Sequence, residues 1–141
     1  MAEETASPLA VLIVEDNEDV AMSTDFLLSS CGYRVLLAKN GPDALKSVEA
    51  DPPDVVLMDI GLPRMDGWRV AQKIRSQTAG KQPIIIAVSG YGTTPDKLRS
   101  ASEGLDGHLV KPVSPAELIG LLGEIQTSRV IKARNKSLFA S

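Results

Sequence analysis

Asp59 stands at the end of an apolar run, "VVLMD", immediately before a Gly- and Pro-containing stretch. Aspartate is poorly tolerated within strands, so a strand that ends on one is presenting a carboxylate to something. Other polar residues occupy the same kind of position. The run ending at Val14 is followed by Glu15 and Asp16, another ends at Ser89 and Gly90, and the last is followed by Lys111 and Pro112. Three carboxylates, a hydroxyl and an ammonium placed together would repel and attract strongly. Clustered carboxylates disfavour one another's ionised form, and a hard divalent cation with oxygen ligands and retained waters, as Mg²⁺ prefers, relieves that. A cation, a carboxylate oxygen on Asp59, a fixed charge at Lys111 and a hydroxyl at Ser89 suit phosphoryl transfer, which needs positioning and charge neutralisation more than covalent help. Carboxylate is an accepted nucleophile in that chemistry. Gly90, lacking a side chain, leaves room for a phosphoryl group.

The elements that must position these groups are legible from periodicity. Leu9–Val14, Arg34–Ala38, Asp54–Met58, Pro83–Ser89 and Gly107–Val110 are Val-, Ile- and Leu-rich runs without clean alternation, the pattern of central strands covered on both faces. Between them lie helical segments. In residues 17–32 Val20, Leu27, Leu28 and Cys31 recur at helical spacing before Gly32, with Cys31 expected as a small buried hydrophobe. Residues 41–50 carry Ala44, Leu45 and Val48 behind Pro42. Residues 68–77 carry Val70 and Ile74, with Trp68 expected in packing, and residues 93–105 carry Leu98 and Ala101 after a cap at Thr94. Ser114 and Glu117 form a capping-box pair ahead of Leu118, Leu121, Leu122 and Ile125.

Five βα units imply right-handed crossovers, a parallel sheet and helices on both faces. In such a sheet ligands bind outside the carboxyl ends of the strands, where the residues above converge. The 141 residues suit one domain, with residues 1–8 disordered, an ordered domain over 9–126, and a basic extension over 127–141 for which a solvated, disordered end is favoured over a helical continuation. A net charge of −3 argues against general nucleic-acid binding, and one cysteine excludes a disulfide framework. "LAVLIV" is too short for a signal peptide or membrane span, so a soluble cytoplasmic protein is expected.

"VLIVEDNEDV", "VVLMDIGLPRMDGW", "AVSGYG" and "HLVKPV" resemble the receiver domain of two-component response regulators, over residues 9 to about 126. The resemblance implies a flavodoxin-like, doubly wound five-stranded sheet in the order 2-1-3-4-5 with five helices. It implies a switch in which Asp59 accepts a phosphoryl group from a histidine kinase or histidine phosphotransfer protein. Asp16 and Asp59 would bind Mg²⁺, with the Gly61 carbonyl, and Glu15 through a water. Ser89 would be the switch hydroxyl, Lys111 would pair with Asp59 and then the phosphoryl group, and Lys111–Pro112 would be a cis peptide. Tyr91, beside Gly90, would tune access to the phosphoryl group. Members usually carry Tyr or Phe three residues before the lysine; here His108 stands there, either as a state-reporting ring or as a half-exposed strand residue without a switching role. The implied output is phosphorelay or binding of a downstream protein, with a possible weak dimer through the fourth helix, fifth strand and fifth helix. Such a domain catalyses only its own phosphorylation and dephosphorylation. The rival readings are a phosphorylation-independent adaptor, which would lack these acids or the lysine, and a Mg²⁺-dependent phosphohydrolase. The latter families place a second Asp two residues after the nucleophile, where this chain has Gly61.

Overall fold

The computed structural model describes residues 8–61, 67–77, 80, 82–90 and 105–139, and side chains through residue 128. Five parallel strands, β1 (Ala10–Val14), β2 (Arg34–Ala38), β3 (Val55–Asp59), β4 (Ile84–Ser89) and β5 (Gly107–Val110), form one sheet in the order β2-β1-β3-β4-β5. This is the flavodoxin-like order expected from the resemblance. Two of the five runs have the fully buried pattern read from their composition: every residue of β1 and β3 is buried. The edge strands differ. β2 and β5 are half-exposed because each has a neighbour on one side only, so continuous apolar character there does not mean a central strand.

Four helices are described: α1 (Glu18–Ser30), α2 (Gly41–Ala50), α3 (Gly67–Gln77) and α4 (Pro115–Phe139). The helix expected over 93–105 lies outside the described residues, apart from Leu105. Asn17 caps α1, its side chain accepting the Val20 N–H at 3.0 Å, and Asn40 caps α2 by accepting the Asp43 N–H at 2.8 Å. Alternate strand residues Leu12, Val14, Val56, Met58, Ile85 and Ala87 pack with Ala44 and Val48 of α2 and Trp68, Val70, Ala71 and Ile74 of α3 in one cluster. Each Val, Leu, Ile and Met among them contributes about 1.5–3 kcal/mol when fully buried, and this packing holds the strand ends in register. The intervening residues Val11, Ile13, Val55, Leu57 and Ile86 are also buried, and α1 packs against β1 and β2.

The stripe expected on α1 is only partly right. Leu28 is fully buried, with Ala21 one heptad earlier, whereas Val20 and Cys31 are exposed. Cys31 is the C-cap, where the chain has already turned off the helix, so it leaves the buried face. At the opposite end of the sheet Arg75 ties α3 to the starts of β4 and β5. It donates to the Pro83 carbonyl at 2.7 Å and to Asp106 at 2.6 Å, and Asp106 also accepts the Ile85 N–H at 2.8 Å.

The segment from Val113 onward forms a separate compact unit. The Ser114 hydroxyl accepts the Glu117 N–H at 3.0 Å, and Leu118 and Leu122 are buried. The helix continues to Phe139, so the basic stretch after Gln126 takes the helical alternative rather than the favoured disordered one.

Candidate functional site

Register decides which side chains meet. Val14 is paired with Ala38 on one side and Met58 on the other, Asp59 with Val88, and Ser89 with Val110. The strands therefore end level, and the next residues along β1 and β5 are Glu15 and Lys111. Backbone bonds extend the sheet by one step: Glu15 N–H to Ala38 O at 3.0 Å, Ile60 N–H to Val88 O at 3.1 Å, and Lys111 N–H to Ser89 O at 2.7 Å.

At this edge the carboxylates of Glu15, Asp16 and Asp59 each place an oxygen within 4.8 Å of the others. Glu15 and Asp59 are buried and Asp16 is exposed. Lys111 Nζ lies 3.3 Å from Asp59 Oδ2 and 3.7 Å from Glu15 Oε1, bridging the two buried acids. Asp59 Oδ1 accepts the Gly61 N–H at 3.0 Å, and Glu15 Oε2 accepts the Asn17 N–H at 3.1 Å. Burial pushes the Glu15 carboxyl above the ordinary carboxylate range; the Asn17 N–H opposes this, the neighbouring Asp59 charge adds to it, and Lys111 offsets part.

With all four groups ionised, three carboxylates face one ammonium and the cluster carries two uncompensated negative charges. An all-oxygen donor set with that excess fits a hard divalent cation such as Mg²⁺. The carboxylates of Glu15, Asp16 and Asp59 are the side chains that would hold it.

The open side of the site is shaped by small residues. A β-carbon at Gly90 would meet nothing within 4 Å, and one at Gly61 would only touch Asp59 Oδ1 at 3.8 Å. Gly67 is different. A β-carbon there would lie 2.9 Å from the Asp59 carbonyl oxygen and 3.0 Å from Ile60 Cα, so only glycine lets α3 start this close to the end of β3. Ser89 is buried, and its Oγ lies 2.9 Å from His108 Nε2. His108 thus points inward, toward the switch hydroxyl expected from the sequence. The Lys111–Pro112 peptide is cis. Tyr91 lies outside the described residues.

Glu15, Asp16, Asp59, Ser89, Gly61, Gly90, His108 and Lys111 therefore share one end of the sheet. Two residues that shape it were missed by the sequence reading. Asn17 holds Glu15 with its amide while capping α1, and its signal in the sequence is a helix-capping residue two positions after an acid. Gly67 gave no sequence signal beyond a glycine before a helix.

The chain matches the family model of the response regulator receiver domain over residues 11–122. Among curated proteins it is 36% identical to a probable transcriptional regulator, ycf27, of Guillardia theta, over 93% of this chain and 48% of that protein. It is 30% identical to protein PilG of Pseudomonas aeruginosa, over 85% of this chain and 89% of that one. The chain thus spans about half of the first relative and most of the second. Among solved structures it resembles a CheY-like receiver domain protein from Methanospirillum hungatei, with a TM-score of 0.81, 28% identity, and coverage of 89% of this chain and 99% of that one. It also resembles the receiver domain of a sensor histidine kinase from Pseudomonas aeruginosa, solved with a magnesium ion in the active-site cleft. There the TM-score is 0.77, with 33% identity and coverage of 85% of this chain and 98% of that one. Sheet order, strand-end residues and family match agree: the chain belongs to the response regulator receiver domains of two-component signalling.

Proposed function

We propose that this domain is a phosphorylation-activated switch that accepts a phosphoryl group on Asp59 from the phosphohistidine of a histidine kinase or phosphotransfer protein. The observation that carries the reading is the buried Asp59 carboxylate at the end of β3, 3.3 Å from Lys111 Nζ and in a three-acid cluster. In the transfer an Asp59 oxygen attacks phosphorus, an O–P bond forms, and the P–N bond breaks with its electron pair going to the imidazole nitrogen of the donor. The Gly61 N–H keeps the carboxylate oriented through Oδ1. Lys111 neutralises charge on the carboxylate and then on the phosphoryl oxygens, and the gap over Gly90 admits the group. Asp16 and Asp59, with the Gly61 carbonyl and with Glu15 through a water, would hold Mg²⁺, whose positive charge would let an anionic donor approach an anionic site.

The acyl phosphate then biases two conformations of the domain through Ser89. Output passes to a downstream protein or along a phosphorelay. The domain assists only its own phosphorylation and dephosphorylation. Gly61 disfavours a phosphohydrolase, since no acid stands two residues beyond Asp59 to protonate a leaving group.

Intact mass spectrometry after incubation with acetyl phosphate or phosphoramidate tests the reading. The expected result is a Mg²⁺-dependent gain of one phosphoryl group by the wild type and none by Asp59→Asn. A folded wild type that gains nothing would move the assignment to a phosphorylation-independent adaptor.

A further inference from the structure

Among the described residues, three of the five large hydrophobics left open to water sit on α1: Val20, Met22 and Phe26, the last 77% exposed. Met22 and Phe26 are four residues apart and share the outer side of the helix, away from the buried Ala21 and Leu28. Exposed Glu18 and Asp19 stand in the turn before them. An apolar strip headed by acids is complementary to a helix that carries both cations and apolar residues.

The chain itself contains such a helix. α4 runs on to Phe139, well past residue 122, where the family match stops. By helical spacing the line through Leu118, Leu122 and Ile125 continues as Arg129, Lys132 and Lys136, while Ile131 and Leu138 fall on the other side. The apolar stripe of the first turns thus gives way to a cationic one, although helices draw most of their stability from packing an apolar face. Charge is divided along the chain in the same way. All 18 acids lie in residues 1–124 with 11 of the 15 Lys and Arg, a net charge of −7, and residues 125–141 hold the other 4 and no acid. A body of that sign opposes approach to nucleic acid or an anionic membrane and attracts the basic helix of another copy.

We infer that the basic end of α4 in one copy docks on the outer face of α1 in a second copy, with its cations against Glu18 and Asp19 and its apolar residues over Met22 and Phe26. Sedimentation velocity on the full chain tests this. At low ionic strength the weight-average mass is expected to rise with concentration above the monomer's 15.0 kDa, and to return to it at high salt. A monomer at every concentration would overturn the inference, whether or not that monomer binds duplex DNA or phosphatidylserine vesicles.

Charge reversal identifies the two surfaces. Glu18→Lys with Asp19→Lys in one variant, and Arg129→Glu, Lys132→Glu and Lys136→Glu in another, are each expected to stay monomeric. An equimolar mixture of the two is expected to associate again, because each reversed surface then meets its complement. A mixture that stays monomeric, while both variants keep the wild-type far-UV spectrum, would contradict the pairing. Phe26→Ser leaves every charge in place and is expected to weaken association about tenfold or more, the loss of an aromatic anchor. Unchanged association in that variant would rule out α1 as the docking face.

Discussion

Asp59→Asn should make the cation-free protein more stable, although it deletes an ion pair. At an effective dielectric of about 20, two unit charges within 4.8 Å repel by at least ~3.5 kcal/mol, so an ionised Glu15 and Asp16 together oppose an ionised Asp59 by at least ~7. Lys111 at 3.3 Å returns ~5 kcal/mol. The balance is roughly 2 kcal/mol unfavourable, and screening of the exposed Asp16 brings it to about 1–2 kcal/mol. The asparagine keeps an oxygen for the Gly61 N–H, and Lys111 keeps Glu15. For a chain of this length the gain corresponds to a rise of about 3–7 °C in Tm, readable by calorimetry in a chelating buffer. Saturating Mg²⁺ should reverse the order. A cation at about a hundred times its Kd stabilises the wild type by roughly 2.7 kcal/mol, and the variant, short of one ligand, gains less. A variant less stable than the wild type in chelator would show that Lys111 outweighs the acids. Equal Mg²⁺ shifts in both proteins would show that Asp59 is not a ligand.

Lys111→Ala leaves both buried acids without their shared ammonium; phosphoryl uptake from acetyl phosphate should fall roughly a hundredfold, measured as the initial rate of mass gain, and stability in chelator should drop. Gly67→Ala should cost about 1–3 kcal/mol in urea unfolding, because the new methyl meets backbone that cannot yield. Gly120→Ala, with open space around it inside α4, should instead gain about 0.5–1 kcal/mol. The Arg34 hydrogen bond holds the Asp51 carboxyl below its usual range, so this exposed pair contributes stability above that range and loses it as pH falls through the lowered value. Asp51→Asn should therefore flatten the acid limb of the stability curve slightly and change little at neutral pH.

Much of this arrangement was legible in the residues. All five strands were placed to within a residue at each end, because short Val-, Ile- and Leu-rich runs bounded by Gly, Pro and acids have few other solutions. The site followed from asking what stands after each run, which works because parallel strands end level. The errors have a common source. Val20, Cys31 and Leu37 of β2 carry the apolar character of buried positions, but their burial depends on what lies across from them, and local pattern does not report that. The closeness of Gly67 to the Asp59 carbonyl and the meeting of His108 with Ser89 are tertiary facts of the same kind.

The central claim is that Asp59 is the residue that takes the phosphoryl group. Borohydride reduction of the phosphorylated protein converts an aspartyl phosphate to homoserine, and peptide mapping then locates it. Homoserine at position 59, formed only with Mg²⁺ and phosphodonor, is the expected result. Homoserine at position 16, or a phosphoryl group recovered on His108 with Asp59 intact, would contradict the account.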